Sequence, residues 1–180
     1  MRVEKEVLHL NGLGFDRHGV DQIVNYLSMS GPFENTPASR RDNMRAIRSR
    51  GNSSTEARLR GAVVRSGIRG WILHSKEVFG VPDFYFRDGR VAIFVDGCFW
   101  HGCPRCGHVP KTNADYWAGK IKRNRARDKA VNEALTGGAF SVVRFWECEI
   151  RTALSACVDR IATQIASKRR QMKSRTKTLR

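Results

Sequence analysis

Apolar positions recur along this chain in short blocks whose spacing switches between helical and alternating periods. From Thr55 onward, Leu59, Val63 and Val64 alternate with Arg58, Arg60 and Arg65, which predicts an amphipathic helix opening at Ser54-Thr55-Glu56 and ending at Gly67 and Gly70. Two strand-like runs follow at 71–74 and 84–87, separated by Gly80-Val81-Pro82. Asp88-Gly89-Arg90 predicts a tight turn into the apolar strand 91–95. Past a cysteine-rich loop, Asn113 is placed to cap a long helix that runs to about Leu135 and stops at Gly137-Gly138. SVVRFW at 141–146 reads as another buried strand, and a last helix covers 154–166. This order predicts an α/β fold, a small mixed sheet flanked by helices.

Upstream the signals are weaker. Residues 21–29 predict one short helix with Asp21 as its cap and Gly31-Pro32 as its stop; 31–41 reads as a linker and 42–49 as a short basic helix. Gly12, Gly14 and Gly19 are too loosely spread for a phosphate-binding loop. The chain thus divides into an N-terminal extension (1–35), a folded domain (36–167) and a basic tail (168–180).

Charge changes the picture more than length does. Among 180 residues, 33 Lys and Arg stand against 17 Asp and Glu, a formal net charge of +16. Such an excess points to a polyanionic partner, nucleic acid first and an anionic membrane surface second. The tail alone carries seven basic residues and no acidic one, and Lys120, Lys122, Arg123, Arg125, Arg127 and Lys129 form a basic face on the long predicted helix. Both fit phosphate contacts, which position a nucleic acid without specifying sequence, and both are also open to a plainer reading as a solvated helix face and a solubilising end. The longest strongly apolar run, 91–95, is far below the ~18 residues of a membrane span, and the first residues, MRVEKE, carry no apolar signal core. A secreted or membrane-spanning protein is not expected.

Two constellations carry chemistry. Cys98, Cys103 and Cys106 fall within VDGCFWHGCPRC, a spacing that lets one loop wrap a tetrahedral Zn²⁺. Cys148, just past SVVRFW, is the preferred fourth ligand because that strand can lie beside 91–95; His108 and His101 are rivals, and Cys157 reads as core. A closed site of this kind is structural. The second constellation is Asp83, following Pro82 at a strand start, with Asp96 at the end of the hairpin partner. Two carboxylates at one sheet edge suit Mg²⁺. Glu56 could orient a water there, and His101 could act as general acid or base.

DNMRAI (42–47), Thr55-Glu56, VPDF (81–84), DGCFWHGC (96–103), PKTN (110–113), Tyr116-Trp117, Lys120-Ile121, Asn124 and Trp146-Glu147 together resemble the very short patch repair (Vsr) endonuclease family. The resemblance implies a restriction-endonuclease-like fold over 36–167 and a Mg²⁺-dependent, zinc-stabilised enzyme. Such enzymes nick one strand of duplex DNA at T:G mismatches left by 5-methylcytosine deamination. By matched position, Asp83 and the main-chain carbonyl of Val95 would hold Mg²⁺, His101 would assist proton transfer, and Glu56 would act through water. Asp96 stands where the family carries His or Asp. Cys98, Cys103, Cys106 and Cys148 fall at structural zinc positions. Phe99 and Trp100, which by themselves read as core aromatics, would wedge into the base stack, with Met44 entering from the other groove; Lys120, Arg123 and Asn124 would contact DNA. The resemblance also implies a functional link to a cytosine DNA methyltransferase and to mismatch-repair proteins, and a cytoplasmic, nucleoid-associated enzyme. Two other readings stay open: a related nuclease cutting unmismatched DNA in restriction or defence, and a zinc-stabilised DNA-binding module without hydrolysis.

Overall fold

The computed structural model describes residues 55–111 and 113–178. The helices expected at 21–29 and 42–49, the linker between them, and Met44 lie outside these residues. The elements in order are α1 (Glu56–Arg65), β1 (Trp71–Leu73), β2 (Phe84–Phe86), a 3₁₀ turn (Arg87–Gly89), β3 (Val91–Asp96), α2 (Ala114–Gly137), β4 (Ser141–Trp146), α3 (Glu147–Thr152) and α4 (Leu154–Thr178).

The four strands form one sheet in the order β1-β2-β3-β4. The first two pairings are antiparallel, and β3 with β4 is parallel, so the sheet is mixed as expected. A parallel pair requires a crossover, and α2 provides it. Strand alternation then sorts the side chains. Phe84, Phe86, Val91, Ile93, Val143 and Phe145 pack on one face beneath Leu59 and Val63 of α1, Ile150 of α3, and Val158 and Ile161 of α4. Tyr85, Ala92 and Phe94 face the other way, against Val131 and Leu135 of α2.

Several expectations change in detail. Val64 is 39% exposed, because a helix places Leu59, Ala62 and Val63 on one stripe and turns Val64 away from it. The hairpin between β2 and β3 closes through a 3₁₀ turn, and the left-handed residue that ends it is Arg90 (φ 48°), not a glycine. Asn113 holds the N-cap position of α2 in a left-handed conformation (φ 54°) with no side-chain capping bond. The six-residue α3 has too few turns to show a period, and the sequence reading passes over it. Residues 168–178 continue α4 instead of forming a tail: Lys, Arg and Gln favour helix, and no Gly or Pro interrupts the run.

Candidate active site

A cleft of about 290 Å³ opens where β3 and β4 end beside α2, lined among others by Asp83, Asp96, His101, Asn124, Asp128 and Arg144. Asp83 enters it from the loop ahead of β2. Its Oδ2 accepts the Val95 main-chain N–H at 2.7 Å, which anchors the carboxylate to the end of β3. Glu56, the buried first residue of α1, lies behind: its Oε1 is 3.0 Å from His74 Nε2, and His74 Nδ1 is 3.9 Å from Asp83 Oδ1. Glu56, His74 and Asp83 bring three possible ligand atoms within 4.8 Å of one another. Burial, opposed by the Val95 N–H and reinforced by the nearby Glu56 charge, raises the Asp83 carboxyl from 3.8 to about 6. A divalent cation relieves this kind of crowding, and the two carboxylates, Glu56 and Asp83, are oxygen donors of the kind Mg²⁺ takes, while His74 is a nitrogen donor.

His101 sits across the cleft. Its Nδ1 is 2.6 Å from Asp128 Oδ2 and 3.7 Å from Asp96 Oδ1. Burial pulls its pKa down, but the hydrogen bond the ring donates to Asp128 and the charges of Asp128 and Asp96 outweigh burial and raise it. Asp96 shares the cleft with Asp83 as expected, but its carboxylate is held by Arg144, through Nε and Nη2 at 2.6 Å each. The reason is register. Phe94 pairs with Arg144 and Asp96 with Trp146, so Asp96 and Arg144 point to the α2 side of the sheet. Asp96 is thus paired with the guanidinium and grouped with His101 and Asp128, while Asp83 is grouped with Glu56 and His74.

The cysteine loop folds onto the same end of the sheet. Sγ atoms of Cys98, Cys103, Cys106 and Cys148 all lie within 4.8 Å of one another, and Cys103 and Cys148 are 3.7 Å apart. A tetrahedral Zn²⁺ with Zn–S near 2.3 Å has S···S edges of about 3.8 Å, so the four fit that ion. Parallel pairing explains the meeting: Asp96 lies beside Trp146, and Cys98 and Cys148 each follow two residues later. The Cys148 N–H points to Cys98 Sγ at 3.3 Å. Burial raises both Cys98 and Cys103, but main-chain N–H groups of Arg105 and Cys106 bring Cys103 down to about 7 while Cys98 stays high. Gly107 is required here, since a Cβ would sit 2.5 Å from the Cys103 carbonyl oxygen. Of the rival ligands, His101 is taken by Asp128, and exposed His108 makes a tilted ring contact with Phe99 at 5.9 Å. Cys157 is buried in the core, as expected.

Phe99 and Trp100 are half-buried and neither is core. They meet each other edge-on at 5.0 Å and Trp117 at 5.2 and 5.9 Å, with Tyr116 against Trp117 at 5.1 Å. Asn124 donates from Nδ2 to the Trp100 carbonyl at 2.7 Å, tying α2 to this loop. On α2, Arg123 is exposed, whereas Lys120 is half-buried, its pKa lowered by burial and by Arg127 and Arg123. The sequence reading passed over His74, Asp128 and Arg144. His74 looked like a strand end, and the other two lay in a basic helix and an apolar strand; only the tertiary contacts single them out.

The family model for DNA mismatch endonuclease Vsr matches residues 34–106. The chain is 42% identical over 127 residues to the type II nicking enzyme V.NaeI of Lentzea aerocolonigenes, covering 68% of this chain and 76% of that one. It is 41% identical over 117 residues to the type II nicking enzyme V.XorIIP of Xanthomonas oryzae pv. oryzae, covering 64% and 84%. To the DNA mismatch endonuclease Vsr of Escherichia coli it is 34% identical over 116 residues, covering 63% and 72%. Likeness of this extent, together with a carboxylate and a histidine facing each other across one cleft, shows that the chain belongs to the Vsr family of DNA-nicking endonucleases.

Proposed function

We propose that this enzyme nicks one strand of duplex DNA at T:G mismatches, using Mg²⁺ at Asp83 and a structural Zn²⁺ on Cys98, Cys103, Cys106 and Cys148. The observation that carries the reading is the shared cleft: Asp83 and His101 line it together, directly beside the half-buried Phe99 and Trp100. Asp83, with the Val95 carbonyl, would hold the Mg²⁺, and Glu56 would act from behind through water. Bound there, the ion supplies positive charge to the developing negative charge on the scissile phosphate. The chain's own groups do the rest. His101 keeps Nδ1 on Asp128, which leaves Nε2 as the atom that moves a proton. Phe99 and Trp100 present rings that can enter a base stack, with Met44 assigned to the other groove. The wedge suits a mispaired step because unstacking is cheapest there. Lys120, Arg123 and Asn124 on α2 would contact the DNA backbone, Asn124 also holding the aromatic loop. Hydrolysis would leave a 3′-hydroxyl and a 5′-phosphate. A cytosine DNA methyltransferase, whose methylated product generates T:G pairs on deamination, and mismatch-repair proteins are the functional partners this reading implies.

The names of V.NaeI and V.XorIIP, type II nicking enzymes, favour a second reading in which paired duplexes are nicked. Labelled T:G and fully paired duplexes, each incubated with Mg²⁺ or with EDTA, separate the two. Nicking of the T:G duplex alone, and only with Mg²⁺, is expected, with Asp83→Ala binding the mismatch but leaving it intact. Equal nicking of both duplexes establishes the second reading, and binding without any nicking overturns both.

A further inference from the structure

Arg144 lies at the centre of a polar network in the wall of the cleft, of which the proposed mechanism uses only the contact between Asp128 and His101. It stands on β4, on the strand face it shares with Val142 and Trp146, with its guanidinium 4.8 Å over the Phe94 ring. Four of its five N–H donors are directed: Nε and Nη2 to the two Asp96 oxygens at 2.6 Å, Nη2 also to Asp128 Oδ1 at 2.8 Å, and Nη1 to Asn132 Oδ1 at 3.2 Å. Asp128 uses its remaining oxygen, Oδ2, on His101 Nδ1 at 2.6 Å. Three elements and one loop are thus joined through a single guanidinium, which is only 19% exposed.

The geometry also settles a competition. Two carboxylates flank the His101 ring, Asp128 at 2.6 Å and Asp96 at 3.7 Å, and either could take Nδ1. Without a cation between them they would repel each other, and the ring, which sits on a loop with no strand to fix it, could follow either one. The planar fork of an arginine holds both at set places; a point-charge lysine could not make the same bidentate contact. We propose that Arg144 is a positioning residue for strand cleavage: by fixing Asp96 and Asp128 it commits the His101 ring to Asp128 and so aims the other ring nitrogen at the reaction. This inference rests on the proton-transfer role assigned to His101.

The test is a double-mutant cycle in the full-length, metal-loaded enzyme, read as the single-turnover nicking rate on saturating T:G duplex. Arg144→Met should lower that rate by about 10–100-fold, a share of the gain that general acid–base catalysis supplies, while duplex affinity changes by less than about threefold. In a His101→Ala background the same change should lower the rate by less than about threefold, because the group being positioned is gone. Arg144→Lys should fall between wild type and Arg144→Met. Losses that multiply in the two backgrounds would overturn the role of Arg144 and leave that of His101 standing. A His101→Ala enzyme that nicks at the wild-type rate would overturn the His101 assignment and this inference with it. Should Arg144→Met fail to fold by circular dichroism, the cycle is run with Arg144→Lys, which keeps the buried charge and loses only the fork.

Discussion

Asp83 is held in the fold against its own ionisation. Its carboxyl titrates near 6 rather than 3.8, so between about pH 4 and 6 the folded chain retains a proton that the unfolded chain has released. Stability from this group therefore falls as pH rises through that window, and a penalty of up to ~3 kcal/mol is fully present above it. Asparagine at this position carries no charge, yet its amide oxygen can still accept the Val95 N–H. In EDTA at pH 8, Asp83→Asn should melt about 5–10 °C above the wild type, with no difference at pH 4. Adding Mg²⁺ should raise the wild type and not the variant. Equal melting at pH 8, followed by differential scanning calorimetry, would remove the argument that the site is strained until a cation arrives. The same residue is thus a liability to the fold and, in the function proposed above, the anchor of the chemistry, a common division at active sites.

At the level of elements, the parallel pairing of β3 with β4 makes both sites. Its register carries Asp96 to Arg144 on the α2 side of the sheet, and it sets Cys98 beside Cys148 just past the strand ends. Arg105 from the cysteine loop pairs with Glu149 of α3 at 2.9 Å, and Glu149 also accepts the Trp146 N–H at 2.8 Å, so loop and helix are clasped at the cluster. With Zn²⁺ bound, this corner would hold the loop that presents Phe99, Trp100 and His101. Zinc should be found at one per chain by elemental analysis of the purified protein. Cys148→Ser should release it and destabilise the fold by upward of ~4 kcal/mol. Full zinc content in Cys148→Ser, or none in the wild type, would reject the four-cysteine assignment. Gly80 shows how closely α2 presses on the same region: at φ +81°, a Cβ there would lie 2.5 Å from Val131 Cγ1.

For the whole molecule, the +16 charge and the acidic cleft are complementary. Asp83, Asp96 and Asp128 line the cleft together with Arg127 and Arg144, and exposed Arg123 and Arg125 on α2 add attraction for phosphate, whereas the basic end of α4 lies at the other end of β3, where Arg169 is near Asp88. Seven of those charges lie at 168–180, and α4 carries that basic run as helix through Thr178, with Arg169 3.5 Å from Asp88. Deleting 168–180 should weaken binding to any duplex and make the slope of log K against log salt shallower by at most ~6, leaving the preference for T:G over paired DNA as it was. An unaltered salt slope in a fluorescence-anisotropy titration would show that these charges do not meet DNA. Among the described residues no helix is long and apolar enough to cross a membrane. Much of this was legible along the chain. Local period and turn chemistry determined the α1, β3, α2 and β4 segments, and the cysteine spacing and the VPDF and DGCFWHGC strings determined the family. Those signals are local, written within a few residues or one helical face. What the tertiary structure alone decided is which distant groups meet: Asp96 with Arg144, Asp128 with His101, His74 between Glu56 and Asp83, and Cys148 instead of a histidine at the cysteine cluster. Each depends on strand register and on which face a side chain takes, and a one-residue change in register would reverse it.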